Sequence, residues 1–167
     1  VTVTLGKKDE YIKYVEKLIQ KIFHIQAKTI YSKKGDAVVY FGSTEIVKWL
    51  QNMGLVFNKV KEQVDIPTWI FKKKKFIKKT LRGLIDTDGS VYKLKFGRQI
   101  SFTNHSIPLL KSTQRMFEEL GFHPSKISSY KVYLTKQQDI DKYFKEIGFG
   151  NKKHTKRFKK ITSGRVA

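Results

Sequence analysis

A chain of 167 residues is long enough for one good core or for two small related ones. Lysine and arginine number 35 against 14 acidic residues, a formal net charge of +21 spread along the whole chain, which is the balance of a polyanion binder. There is no cysteine, which excludes a disulfide framework and a thiolate metal site. No apolar run approaches the roughly 18 residues that a membrane span requires, so nucleic acid is the expected partner and a membrane is not. The first residues lack a signal-peptide pattern, from which an intracellular location is expected.

In chain order, VTVTL alternates like a strand, and YIKYVEKLIQKIF (Tyr11 to Phe23) has the apolar spacing of a helix. KTIYS and AVVYFGS read as hairpin strands, and EIVKWLQNMG as a helix running through Leu50 and stopped by Pro67 in VDIPTWIF. A boundary near Phe71 gives a partial repeat over 1–70 and a full one over 71–167.

The two halves are related. EIVKWLQNMGLVFNK (Glu45 to Lys59) aligns with DIDKYFKEIGFGNK (Asp139 to Lys152), setting Ile46 on Ile140, Trp49 on Tyr143, Leu50 on Phe144, Gly54 on Gly148 and Lys59 on Lys152. Upstream, Leu18, Ile19 and Ile22 fall on Met116, Phe117 and Leu120, and the strand segments KTIYS and AVVYFGS fall on KISSY and KVYLTK.

The second half adds FKKKKFIKKTLRGLIDTDG, a helix with Phe76, Ile77, Thr80, Leu81 and Leu84 on one face and Gly89 at its exit. Asp86 and Asp88 stand at its C-terminal end, where the macrodipole is already negative, so something positive must offset them. An EF-hand loop would need Gly and Glu where this chain has Val91 and Gly97. The pair suits a magnesium ion with few protein ligands and several waters, the arrangement used where a phosphate supplies the remaining oxygens.

LRGLIDTDG, Leu81 to Gly89, resembles the signature of the LAGLIDADG homing endonucleases and departs from it only at Arg82 and Thr87. The resemblance, closest in kind to single-signature archaeal intron-type members, implies an α+β fold of αββαββα repeats whose antiparallel saddle sheet lies in the DNA major groove. It implies a sequence-specific, intron-encoded endonuclease that uses Mg2+, with Mn2+ or Ca2+ able to substitute for binding. Such an enzyme cuts both strands of double-stranded DNA in a long site and leaves short 3′ overhangs.

By motif position the metal-binding acid is Asp88, with the Thr87 carbonyl beside it, while Asp86 serves the helix interface together with the small stripe Thr80, Gly83 and Thr87. The family's basic residue near the scissile phosphate maps to Lys152, with Lys153 as an alternative and Lys59 as its repeat counterpart. Its polar residue after the second strand maps to Asn104 or His105. Relatives that assist intron RNA splicing or regulate transcription supply the alternative function, a non-cleaving nucleic-acid binder. A double-strand cut needs two signature helices, so a homodimer is expected, the alternative being an upstream segment bearing a first motif.

Strand parity nominates the DNA contacts. In RQISFT the apolar Ile100 and Phe102 should meet the helices while Gln99, Ser101 and Thr103 face the groove, and Lys131, Tyr133 and Thr135 follow the same rule. Arg98 and Gln99 are the strongest base-reading candidates by type. In SVYKLKFG parity turns Lys93 and Lys95 inward, so a bulge is expected there, with both lysines as phosphate or base contacts.

Overall fold

In the computed structural model, which describes residues 1–5, 10–33, 35–56, 63–95 and 97–163, the elements begin with β1 (Thr2–Leu5), α1 (Glu10–Phe23), β2 (Lys28–Tyr31), β3 (Ala37–Tyr40) and α2 (Thr44–Asn52). A 3-10 turn (Thr68–Lys72) leads into α3 (Lys74–Asp88), β4 (Gly89–Leu94), β5 (Gly97–Thr103), α4 (Ile107–Glu119), β6 (Lys131–Leu134), α5 (Gln137–Glu146) and α6 (Lys152–Ser163). Two units result, Val1–Leu55 and Val56–Ala167.

In the first unit an antiparallel sheet in the order β1-β3-β2 buries Leu5, Ala37 and Val39 with Tyr11, Ile12, Val15 and Ile19 of α1. Helix α2 buries none of its residues. It ends at Asn52, where Gly54 adopts φ 101° and the Leu55 N–H returns to the Leu50 carbonyl. Gly54 therefore stops this helix, and Pro67 instead opens the 3-10 turn.

The second unit is built around α3. Ile77, Leu81 and Ile85 recur every fourth residue, so they share one face, and all are at most 1% exposed. Withdrawing each such side chain from water contributes about 1.5–3 kcal/mol. They share a core with Val91, Ile100, Phe102, Val132 and Leu134, one face of the sheet β4-β5-β6, and with Leu110, Met116 and Phe117 of α4 and Ile140 and Tyr143 of α5.

Three details differ from expectation. KISSY forms no strand: Ser129 and Tyr130 take φ of 49° and 58°, and a single bridge joins Ser128 to Lys131. The β4–β5 register runs unbroken from Gly89↔Phe102 to Leu94↔Gly97, so there is no bulge. Lys93 keeps the helix-side parity of Val91 and stays exposed because it lies toward the free end of the hairpin. Finally, α6 follows the last expected helix. Its signal was present in the sequence, an asparagine at the cap and His154 and Phe158 four residues apart, both buried.

Candidate functional site

The two acids at the end of α3 have different environments because they point to different sides of the helix. Asp86 is 3% exposed and its carboxylate accepts the Gly150 N–H at 2.8 and 3.0 Å and the Asn151 N–H at 3.0 Å. The Asn151 amide in turn donates to the Asp86 carbonyl at 3.1 Å. Burial raises the Asp86 carboxyl above its ordinary value, and the two backbone donors and the Arg82 guanidinium pull it partly back. Asp86 thus fastens the segment that begins α6 to the end of α3.

Asp88 is exposed, and the Asn104 amide points to it, with Nδ2 3.5 Å from Oδ2. Asn104 is held by its own Oδ1, which accepts the Ser106 N–H at 2.9 Å, and by its N–H on the Tyr130 carbonyl. His105 is exposed, its ring 5.1 Å from that of Tyr130. Gly89 is extended, φ −89° and ψ 166°, so it is needed for space: a Cβ there would collide with the Ile85 carbonyl oxygen and Cα. That close approach lets the chain leave α3 directly into β4 and sets Asp88 at the junction.

The Thr87 carbonyl lies in the last turn of α3 and has no helical N–H ahead of it. Among the described residues no three His, Asp or Glu side chains converge. A cation here would meet one carboxylate and one carbonyl, hard oxygens that leave most positions to water and to a phosphate. Lys152 is exposed at the first position of α6, next to the Asn151 that Asp86 fastens. Lys153 is exposed beside it, its N–H on Asn151 Oδ1 at 3.0 Å, and Lys59 lies outside the described residues.

The stripe Thr80, Gly83 and Thr87 lies on the outer side of α3, where nothing stands within 4 Å of a Cβ built on Gly83. The Thr87 hydroxyl turns back onto the Gly83 and Leu84 carbonyls at 3.1 and 3.2 Å, which leaves its methyl outward.

On the sheet, Gln99 and Tyr133 are half-buried and Thr103 exposed, on the face opposite the core, with Lys131 of β6 beside them; Thr135 is exposed just past the end of β6. Ser101 shares that face but is 3% exposed, a small side chain paired with the much larger Tyr133. Tyr92, paired with Gln99, joins this face and was missed because its strand defied the parity reading. Lys93 and Lys95 are exposed at the hairpin end. Arg98 is 4% exposed, on the helix side: its guanidinium donates to Asp141 at 2.6 Å and Gln137 at 2.9 Å and stacks 4.7 Å over the Phe158 ring. It holds β5 to α5 and α6.

Buried Tyr143, the counterpart of Trp49, stands near Asp86; desolvation and then the Asp86 charge raise its phenol well above the ordinary value, and Arg82 partly offsets them. Its hydroxyl has no hydrogen-bond partner among the described residues.

Residues 75–148 match the model of the LAGLIDADG-like domain. The N-terminal LAGLIDADG domain of DUF199/WhiA is similar in structure, with a TM-score of 0.59 at 14% identity, over 90% of this chain and 74% of that one. I-SmaMI bound to its uncleaved DNA target with calcium ions gives 0.56 at 15% identity, over 93% and 76%. The LAGLIDADG meganuclease I-AabMI bound to uncleaved DNA gives 0.56 at 14%, over 97% and 79%. No curated protein matches the chain. No helix among the described residues is long and apolar enough to cross a membrane. Residues 75–148 are thus similar to the LAGLIDADG-like domain, and the chain has an α+β LAGLIDADG-like fold.

Proposed function

We propose that the protein is a site-specific DNA endonuclease that hydrolyses phosphodiester bonds with a divalent metal, magnesium by preference. The observation that carries this reading is the division between the acids of α3: Asp86 is buried and bound to backbone N–H groups, whereas Asp88 is exposed beside Asn104. Asp88 and the Thr87 carbonyl would hold the metal, which when bound supplies charge neutralisation and a more acidic water. Asn104 orients the Asp88 carboxylate through its amide. Lys152, kept at the start of α6 by the tie to Asp86, offers positive charge to the phosphate as charge develops.

The duplex lies against the outer face of the sheet. Tyr92, Gln99, Thr103, Lys131 and Tyr133 meet the groove there, Thr135 extends that face past β6, and Lys93 and Lys95 meet phosphates at the hairpin end. Ser101 gives that face a small, low point. Arg98 contributes by fixing β5 rather than by reading a base.

Cutting both strands requires a second signature helix against the stripe Thr80, Gly83 and Thr87. A second copy of the chain would supply it in a homodimer and favour a near-palindromic site. One observation favours another source. Ile22 and Trp49 of the first unit are 53% and 50% exposed, whereas their repeat counterparts Leu120 and Tyr143, beneath α3 in the second unit, are 8% and 0% exposed. A signature-type helix from outside residues 1–167 would cover that face and pair with α3 in a pseudo-symmetric molecule.

The test is cleavage of a random-insert plasmid library in magnesium, with Asp88→Asn alongside. Specific cuts that vanish in the variant support the endonuclease. Binding without cuts by either protein points to the non-cleaving binder, a splicing factor or regulator, or to a missing second helix.

A further inference from the structure

Along α3 from its first residue to Arg82, a pocket of about 320 Å³ is lined by Lys74, Lys75, Lys78, Lys79, Arg82, Glu146 and Ile147. Its single carboxylate, Glu146, is engaged by Lys78 at 2.8 Å, and that hydrogen bond, with Lys142 and Lys145 also near, holds its pKa below the usual value. Lys74, Lys75 and Lys79 make no ion pair among the described residues, and the buried Arg82 Nε has no hydrogen-bond partner there. Lys74, Lys78 and Arg82, and likewise Lys75 and Lys79, stack like charges four residues apart, which opposes the helix. They also crowd the end of α3 where the macrodipole is positive and no acid stands in the first turn. Glu146 engages Lys78, and Arg82 Nε lies 4.0 Å from the Asp86 carboxylate, which leaves Lys74, Lys75 and Lys79 without a compensating acid among the described residues.

We propose that this pocket is a second phosphate site, which takes the sugar-phosphate backbone of a nucleic-acid strand other than the duplex laid on the sheet and does not read its bases. The cations extend from Lys74 to Arg82, about 12 Å of helix, which is the rise of three to four nucleotides of one strand and more than one phosphate group needs. The lining has no aromatic ring on which a base could stack and no amide to bond a base edge. Ile147 is its one apolar side chain, too little to enter a bilayer. None of the lining residues belongs to the sheet on which the duplex is proposed to lie, and Lys74 and Lys75 stand about 20 Å of helix before Asp88.

The test is fluorescence anisotropy with short single-stranded DNA and RNA of arbitrary sequence, in EDTA, across a salt series. No target site and no cleavage are involved, so the result is independent of the endonuclease reading. Lys74→Gln/Lys75→Gln/Lys78→Gln should weaken strand binding about tenfold or more near physiological salt and flatten the slope of log K against log salt by about 2, at ~0.7 per contact. Removing the same charge elsewhere, with Lys111→Gln/Lys126→Gln/Lys136→Gln, should change little, and Glu146→Gln should tighten binding. Because glutamine suits a helix interior as well as lysine does, the variants should fold. The comparison of the DNA and RNA arms names the strand. Equal weakening by both triple variants, or an unchanged affinity in the pocket triple or in Glu146→Gln, would overturn the proposal.

Discussion

At the residue scale, two aspartates two positions apart stand in opposite environments, one facing the interior and the other the solvent. Asp88→Asn keeps the shape and loses the charge, so DNA binding should persist while cleavage falls below detection in a gel assay. Asn104→Ala removes the amide beside Asp88 together with the acceptor of the Ser106 N–H, and a loss of roughly ten- to a hundredfold in rate or metal affinity is expected from titrations with magnesium, with urea midpoints separating any loss of stability. For Asp86→Asn, an amide NH2 would face the Gly150 and Asn151 N–H donors, and stability should drop by about 1–3 kcal/mol. The native carboxyl is raised above 3.8 in the fold, so it binds its proton more tightly folded than unfolded. Its contribution to stability therefore falls as pH rises from 3.8 to the raised value and is flat above it. The gap between native and Asp86→Asn proteins should narrow over that window, as read from urea midpoints at a series of pH values.

At the element scale, the related helices of the two halves carry similar patterns with different burial. Leu120 is 8% exposed, and Leu120→Ala should cost about 2–5 kcal/mol; Ile22, its counterpart, is 53% exposed, and Ile22→Ala should stay within about 0.5 kcal/mol. Chemical denaturation of the two variants checks this contrast. The outer stripe of α3 gives a second test. Nothing near Gly83 obstructs a methyl group, so Gly83→Ala should stabilise the chain by up to about 1 kcal/mol, and a larger side chain such as Gly83→Leu should leave the fold intact while weakening pairing with a second helix. Thermal melting of the free chain against mass measurements on the DNA complex separates these effects.

At the scale of the whole molecule, the charge of +21 dominates association. With six to ten phosphate contacts, affinity for duplex DNA should fall by roughly 10³–10⁵ between 50 and 200 mM salt, a slope readable by filter binding. Mass in solution with bound DNA discriminates the two sources of the second signature helix. A two-chain complex supports the homodimer, and a one-chain complex that nicks one strand supports a helix from elsewhere.

The signature stretch and its neighbours were legible in the sequence because their signals are local: the spacing of Ile77, Leu81 and Ile85 makes α3, and the alternation of Ile100 and Phe102 orients β5. The expectation of a polyanion partner, too, follows from a charge count. What local pattern could not carry was which polar group finds which distant partner. Arg98 reads as a base contact by type, yet Asp141 and Gln137, some forty residues on in the chain, draw it to the helix side. Asp86 bonds Gly150 and Asn151, also far along the chain, and no local pattern marks those partners. KISSY fails as a strand because two of its residues adopt positive φ, and α6 forms on a cap and two buried rings. Periodicity is a property of neighbours and is written in the sequence; burial and the pairing of buried polar groups depend on which surfaces meet, and only the tertiary structure decides that.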